Sequence, residues 1–317
     1  MFCGASQPHP GRAFGRLSGL ALLAGLLAGL PTGCKEHSTG PAPEPPAGMV
    51  LVPGGEFTMG SDGGFAAERP AHRVRVSPFF LARHEVSVAE FATFIEQTGY
   101  VTDAERIGWA AVFDPDEGSW RRVDGADWRQ PLGPGSTAVE DHPVVQVSYD
   151  DALAYAAWAG GRLPTEAERE YAARGGLENA RYPWGDELHP EGDHRSNIWQ
   201  GRFPTDNTGD DGHVMTAPVA SFPPNGYGLH DMAGNVWEWT ADWFGEYPRG
   251  NGERIDPEGP AHGSERVIRG GSWMCSSSYC TGYRVTARQS NEPDAALNNL
   301  GFRIARDLAV PARNTTR

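Results

Sequence analysis

The sequence predicts an α+β protein: a single loop-rich domain with low regular secondary structure. The 317 residues include 41 glycines and 26 prolines, which favour turns over long helices and strands. Ten tryptophans, nine tyrosines and thirteen phenylalanines supply the large apolar groups that a disordered chain lacks. A few helix and strand patterns are clear, and we find no second linker between Gly48 and Asp307.

The charge and the missing motifs exclude several classes of function. The formal net charge is −14, so a partner with a phosphate backbone is not expected, and we predict no nucleic-acid binding. The chain lacks a glycine-rich phosphate loop and a Gly-x-Ser-x-Gly motif. His84-Glu85 lacks the second histidine of a zinc-protease helix.

Residues 1–33 are typical of a secretory signal. Arg12 and Arg16 precede an apolar run from Leu17 to Leu30, which is too short to span a membrane comfortably. The run ends in LPTGC, which resembles a bacterial lipoprotein cleavage box with Cys34 as the lipidated residue. An ordinary signal-peptidase site is the alternative. We therefore expect an exported, periplasmic or cell-envelope lipoprotein that loses Cys3.

The remaining chain divides into a spacer, a domain and a tail. Residues 34–47 form a proline-rich linker, stiff enough to hold a tethered protein away from its anchor. Residues 48–309 form the folded domain, which we expect to be a monomer. Residues 310–317 form a short tail.

Local patterns predict strands and helices in the first half of the domain. Met49–Val52 and Arg73–Val76 are predicted strands. Ser87–Glu90 is a capping box that begins a helix with one apolar face, formed by Val88, Phe91, Phe94 and Ile95.

Two further helices follow. Asp150 or Asp151 is the expected N-cap of a helix that runs through Trp158 and stops at Gly160-Gly161. The segment Thr165–Glu168 is another capping box, and it begins a short helix through Ala173.

Beyond Ala173 regular periodicity almost vanishes, and two segments are rich in oxygen-bearing side chains. These are Asp206–Gly212, which follows Asn197–Gln200, and Asn225–Trp239. Taken alone, their composition favours ordinary Asx and glycine turns. Calcium binding is the alternative, because calcium takes six to eight oxygens from carboxylates, amides and carbonyls.

Cys275 and Cys280 are the two cysteines of the folded domain. A serine run between them indicates a turn that can bring the thiols together. The spacing leaves three possibilities: a structural disulfide, two unrelated buried thiols, and a reactive or metal-binding dithiol. Spacing and export favour the disulfide. If the pair binds a metal, two thiolates suit Cu(I) better than zinc.

The segment from Gly48 to Asp307 resembles a known family, the formylglycine-generating enzymes or sulfatase-modifying factors. The motifs that carry the resemblance are MVLVPGGEFTMG (49–60), RLPTEAE (162–168), YPWG (182–185), NIWQG (197–201), NGYGL (225–229), GNVWEW (234–239), the segment 269–280 and NNLGFR (298–303). The resemblance implies the C-type-lectin-like fold of these enzymes.

It also implies an activity: a copper-dependent oxidase that converts the cysteine of a Cys-x-Pro-x-Arg motif in an unfolded sulfatase to Cα-formylglycine, using O2 and a thiol reductant. By resemblance, Cys275 and Cys280 bind Cu(I), and the substrate cysteine joins them as a third thiolate. Four further residues match positions that line or support the active site: Ser272, Trp237, Tyr279 and Asn299.

The resemblance implies two calcium sites as well. The first has Asn197, Ile198, Asp211 and His213 as ligands, with Ile198 and His213 contributing carbonyls. The second has Asp231, Gly234, Val236 and Glu238, with Gly234 and Val236 contributing carbonyls.

Two positions depart from the family pattern. Ser276 replaces the histidine that usually follows the first cysteine, which bears on activity or on peptide preference. Arg169 replaces a tryptophan of the helix motif, which we interpret as a packing change. The alternative function is therefore a catalytically silent member: an exported lipoprotein that binds a peptide or glycan or assists assembly.

Overall fold

A computed structural model describes residues 43–250 and 252–308. The predicted signal with Cys3, the lipidation site Cys34 and the tail 310–317 lie outside these residues. Within them, no helix is both long and apolar enough to cross a membrane. Residues 43–250 and 252–308 form one unit, with short helices, small sheets and long irregular segments. The single loop-rich α+β domain is confirmed.

The helices follow the predicted capping chemistry with one correction. Helices α1 and α4 begin after Ser87 and Thr165, each with a complete capping box. Helix α3 is capped by Ser148, not by Asp150 or Asp151: the Ser148 side chain accepts from the Asp151 backbone N–H, so Asp151 closes the box from inside the helix. The helices are α1 (Val88–Thr98), the unpredicted α2 (Asp103–Ile107), α3 (Tyr149–Trp158) and α4 (Glu166–Arg174).

In the part of the chain that the structure describes, twelve short strands form four sheets. Their bounds are β1 Met49–Val52, β2 Gly55–Met59, β3 His72–Val76, β4 Phe79–Ala82, β5 Trp109–Asp114, β6 Ser119–Asp124, β7 Trp237–Trp243, β8 Arg254–Ile255, β9 Arg266–Arg269, β10 Arg288–Asn291, β11 Leu300–Gly301 and β12 Ala305–Asp307. The sheets have the orders β1-β4-β12, β10-β9-β7-β11, β2-β3-β8 and β5-β6. The predicted strands β1 and β3 are confirmed.

The core lies between the α1–α3 pair and the β10-β9-β7-β11 sheet. Phe91 of α1 stacks on Tyr155 of α3 with ring centroids 5.9 Å apart, and Phe302 packs edge-on against both rings. Helix α4 is buried along its whole length and packs on strands of two sheets. The predicted irregular stretch is confirmed between α4 and β7. Among these described residues the only helical or strand element is a 3-10 turn at Pro190–Gly192.

Candidate active site

Three strand ends converge on the segment that contains the cysteines. Strand β9 ends at Arg269, β7 begins at Trp237, and β11 begins one residue after Asn299. The backbone N–H of Trp237 donates to the Asn299 carbonyl at 2.9 Å, which aligns two of the predicted site residues. Gly271 has φ +75°, and a Cβ there would lie 2.6 Å from the Tyr283 nitrogen, so only glycine allows this exit from β9.

Cys275 and Cys280 form a disulfide with their Cα atoms 4.7 Å apart. A turn closes the loop between them, because the N–H groups of Tyr279 and Cys280 both donate to the Ser276 carbonyl, at 3.2 and 3.0 Å. The structure therefore brings the two sulfurs together, as the spacing favours. Copper binding by this pair stays a prediction.

The two cysteines differ in accessibility. Cys275 is 1% exposed and packs in the main core with Trp237 and Tyr283, whereas Cys280 is partly exposed at the edge of that cluster. Gly282 supports this packing, since a Cβ there would lie 2.5 Å from the Trp237 ring. A reagent from solvent can therefore reach the pair from the Cys280 side.

Ser272 and Asn299 form a buried polar link beneath the cysteines. Asn299 Nδ2 donates to Ser272 Oγ at 3.1 Å and contacts the Met274 sulfur at 3.1 Å, and the N–H of Cys275 donates to the Ser272 carbonyl at 2.8 Å. Asn299 Oδ1 is buried and accepts no hydrogen bond from the residues that the structure describes. The Ser272–Asn299 hydrogen bond thus ties the start of the cysteine loop to the residue that precedes β11.

Tyr279 lies on the surface rather than inside the site. It is 60% exposed and stacks on Phe203, with ring centroids 4.0 Å apart and planes 9° from parallel. Phe203 was not predicted, because nothing in the irregular segment around it links it to a loop seventy-six residues away. Ser276 is buried, and its hydroxyl pairs with that of Ser278 at 3.0 Å.

The first predicted calcium set gathers around Asp211. Its Oδ2 accepts from the N–H of Ile198 at 3.1 Å, and its Oδ1 accepts from the N–H of His213 at 2.9 Å. The unpredicted Gln200 donates its amide to Asp211 Oδ2 at 2.7 Å and to the Ile198 carbonyl. The neighbouring Asn197 is buried. The Asp211 oxygens form no ion pair in 43–250 or 252–308 and bond to backbone and amide groups, while the carboxylate charge also acts on His189.

The second predicted set has different surroundings. Glu238 is fully buried and pairs with two guanidinium groups, those of Arg169 and Arg303. The interpretation of Arg169 as a packing change is wrong: its side chain is an ionic partner of a predicted calcium ligand. Asp231 accepts from the N–H of Ala220 at 2.6 Å. Gly234 and Val236 lie on the turn that leads into β7.

Burial raises the pKa of both Glu238 and Glu85, and the charged neighbours of each decide the final direction. Burial raises the pKa of Glu238, but the Arg169 and Arg303 guanidiniums outweigh it and hold that pKa below its ordinary value. The neighbouring Glu85 lacks such close pairs: its Oε2 lies 3.9 Å from Arg303. Burial, followed by the charge of Asp231, raises the pKa of Glu85 well above its ordinary value.

Comparison with known proteins assigns the family. Residues 35–308 match the family model of the sulfatase-modifying factor enzyme 1-like domain. The chain is 54% identical over 290 residues to the formylglycine-generating enzyme of Streptomyces coelicolor, covering 84% of this chain and 92% of that protein. This chain belongs to the formylglycine-generating enzyme family.

Membership of the formylglycine-generating enzyme family does not by itself imply catalysis. The chain is also 42% identical to the mouse protein named inactive C-alpha-formylglycine-generating enzyme 2, over 88% of this chain and 91% of that protein. Among solved structures, PvdO from Pseudomonas aeruginosa matches with a TM-score of 0.62 and 30% identity, covering 82% of this chain and 94% of that chain. The family and fold are therefore shown, and activity must be argued from the site.

Proposed function

We propose that this protein converts the cysteine of a Cys-x-Pro-x-Arg motif in an unfolded sulfatase to Cα-formylglycine. The observation that carries the proposal is the Cys275–Cys280 pair. Its sulfurs lie together in one turn with Cys280 partly exposed, and the chain matches formylglycine-generating enzymes over most of its length. In this proposal the enzyme is an oxidoreductase that uses O2.

The donor set fits Cu(I). Cys275 and Cys280 place two sulfurs together, and no cluster of three or more His, Cys, Asp or Glu side chains suited to a metal occurs in the described part of the chain. Two soft thiolates without a histidine suit Cu(I), whereas zinc takes four ligands. Copper, when bound, would supply the oxygen chemistry that thiols lack.

The residues of the chain would supply access and positioning. Cys280 is the thiol that a substrate cysteine can approach, because Cys275 is buried against Trp237. Ser272 and Asn299 would fix the base of the loop through the hydrogen bond between their side chains. Tyr279, exposed and held flat by Phe203, would line the entrance.

A thiol reductant is required by the balance of the reaction. The disulfide must first be reduced to two thiols before it can bind a soft metal. During conversion O2 accepts four electrons: the thiol-bearing β-carbon of the substrate cysteine gives two and becomes an aldehyde, and an external thiol pair gives two and becomes a disulfide. Both oxygen atoms of O2 leave as water, and hydrolysis of the resulting thioaldehyde gives the aldehyde and releases the substrate sulfur as hydrogen sulfide.

The first calcium set also fits its ion. Asp211 contributes a carboxylate with no ionic partner in the described ranges, and the Ile198 carbonyl converges with it on the Gln200 amide. Rotating that amide by a half-turn would present a further oxygen in place of the nitrogen. Calcium there, with Asn197 and the His213 carbonyl, would tie together turns of the irregular segment.

The alternative is a catalytically silent member that binds a peptide or glycan or assists assembly. Ser276 in place of the usual histidine and the likeness to a protein named inactive favour it. A chain that takes up no Cu(I) and keeps the Cys275–Cys280 disulfide under mild thiol reductant would support this alternative.

The conversion assay decides between them. The Cu(I)-loaded, reduced chain is incubated aerobically with a Cys-x-Pro-x-Arg peptide, and mass spectrometry follows the exchange of the thiol for an aldehyde, with aminooxy capture as confirmation. We expect conversion by the wild type and by Ser277→Ala, an exposed control in the same loop, and none by Cys275→Ser or Cys280→Ser. Wild-type failure, or equal conversion by the cysteine variants, would reject the proposal.

We further propose that the protein is a bacterial, exported lipoprotein anchored at Cys34 and active as a monomer. The basic start, the apolar run and the proline-rich spacer support this placement. Labelling of cells with an alkyne fatty acid tests it: the wild type should be labelled and Cys34→Ala should not. Absence of label on the wild type would refute the anchor.

A further inference from the structure

Arg169 occupies a fully interior position on helix α4. Its side chain is 1% exposed, and its guanidinium donates to Glu238 through Nε at 3.0 Å and through Nη2 at 2.9 Å. Nη2 also donates to the Met232 carbonyl at 3.2 Å. One guanidinium thus binds both a predicted calcium-ligating carboxylate and a carbonyl of the predicted calcium-binding turn.

Arg303 completes the coverage of Glu238. Its Nε donates to Oε2 at 2.6 Å, and its Nη2 donates to Oε1 at 2.7 Å. An ionised carboxylate offers about four lone-pair positions, and two bidentate guanidiniums use them all. The Arg303 Nη2 also donates to the carbonyls of His230 and Asp231. Glu238 therefore has no oxygen position left for a metal ion.

The backbone around Arg169 accommodates the guanidinium. Gly270 follows β9 with φ +99°, and a Cβ at this position would lie 2.9 Å from Arg169 Nη2. The Nε and Nη2 groups of Arg169 donate to the Glu238 carboxylate and the Met232 carbonyl, so the buried charge has an ionic partner, as a buried guanidinium requires. The second predicted calcium set does not fit a calcium ion in this chain.

We propose that the Arg169 guanidinium replaces the calcium ion of the second set, so that the folded protein binds one calcium ion instead of two. The single ion lies at Asp211, whose carboxylate lacks an ionic partner among the described residues, whereas Glu238 has two. A covalently attached cation holds the 230–238 turn at any calcium concentration. This inference is independent of catalysis.

Calcium counting on the intact chain tests the proposal. Apo protein is dialysed to equilibrium against calcium, and bound metal is measured by plasma mass spectrometry. We expect one equivalent for the wild type, none for Asp211→Asn and one for Asp231→Asn. Two equivalents for the wild type, or a loss of calcium in Asp231→Asn, would overturn the proposal, as would a wild type that binds none.

Arg169→Trp provides the reciprocal test, because it restores the residue usual in the family and frees the two oxygen positions of Glu238 that Arg169 occupies. We expect a second bound equivalent of calcium and a second calcium-dependent rise in melting temperature, since an ion that binds only the folded state stabilises it.

Arg174→Met is the matched control. It removes a buried arginine of the same helix, paired with Glu170, and this variant should bind one equivalent of calcium. Should Arg169→Trp not fold, the Asp211→Asn and Asp231→Asn counts still decide. A folded Arg169→Trp that binds one equivalent contradicts the replacement.

Discussion

Cys275 and Cys280 have Cα atoms 4.7 Å apart, yet Cys275 is buried in the main core and Cys280 is partly exposed. The difference arises because Cys275 follows directly from the buried 270–274 segment, whereas Cys280 closes a turn at the surface. A single loop thus holds one sulfur inside the protein and leaves the other partly exposed to solvent.

This asymmetry predicts unequal thiol reactivity. After mild reduction, iodoacetamide should modify Cys280 at least about tenfold faster than Cys275, because the reagent must reach the sulfur. Peptide mapping after short labelling times measures both rates. Unfolded protein, in which the two rates should converge, is the control. Equal rates in the folded chain would contradict the described burial.

Removing the charge of Glu238 should destabilise the protein strongly. Glu238→Gln leaves the buried guanidiniums of Arg169 and Arg303 without their common counter-ion, which costs about 3–5 kcal/mol for a buried pair. Denaturant unfolding measures the loss. Glu56→Gln, at an exposed glutamate paired with Arg73, is the matched control and should change stability by less than about 1 kcal/mol. Similar losses in both variants would refute the central role of Glu238.

Deprotonation of Asp242 should lower the free energy of unfolding as the pH rises from acid to neutral. Burial, together with the charge of Glu166, raises the pKa of Asp242 to about 7. Because the folded state holds this proton more tightly than the unfolded state, the stabilisation is complete below the unfolded pKa near 4 and is lost as pH passes 7.

Comparison with Asp242→Asn isolates that contribution. Asn keeps an acceptor for the N–H of Glu166, which donates to Asp242 Oδ2 at 2.7 Å. The difference in unfolding free energy between wild type and variant should shift by about 2 kcal/mol between pH 5.5 and 7.5, with the wild type losing relative stability. A difference that does not change with pH would show that Asp242 titrates normally.

The sequence predicts best where the determining contacts are local. The capping boxes at Ser87 and Thr165 place helix starts correctly because both partners lie three residues apart. The start of α3 was misplaced because Ser148 pairs with an aspartate, Asp151, rather than with the glutamate or glutamine typical of the motif. The serine run between the cysteines likewise favours their pairing over the two alternatives, because it predicts a turn within one short segment.

The less predictable features depend on contacts between distant residues. Strand β7 contains Glu238. The sequence around it is typical of a polar turn, and only the structure shows its ion-pair partners. These are Arg169 and Arg303, 69 and 65 residues away in the chain. The stack of Phe203 on Tyr279 has the same character. A single sequence offers no local signal for such pairs, so the role of Arg169 required the structure.

Joint binding of Cu(I) by Cys275 and Cys280 is the property on which the proposed function depends most directly. Titration of the reduced protein with Cu(I), in competition with a chromophoric chelator, tests it without a substrate. We expect one tightly bound equivalent for the wild type and for Ser277→Ala, and loss of that binding in Cys280→Ser with the fold retained by circular dichroism. Undiminished copper binding by folded Cys280→Ser would contradict it.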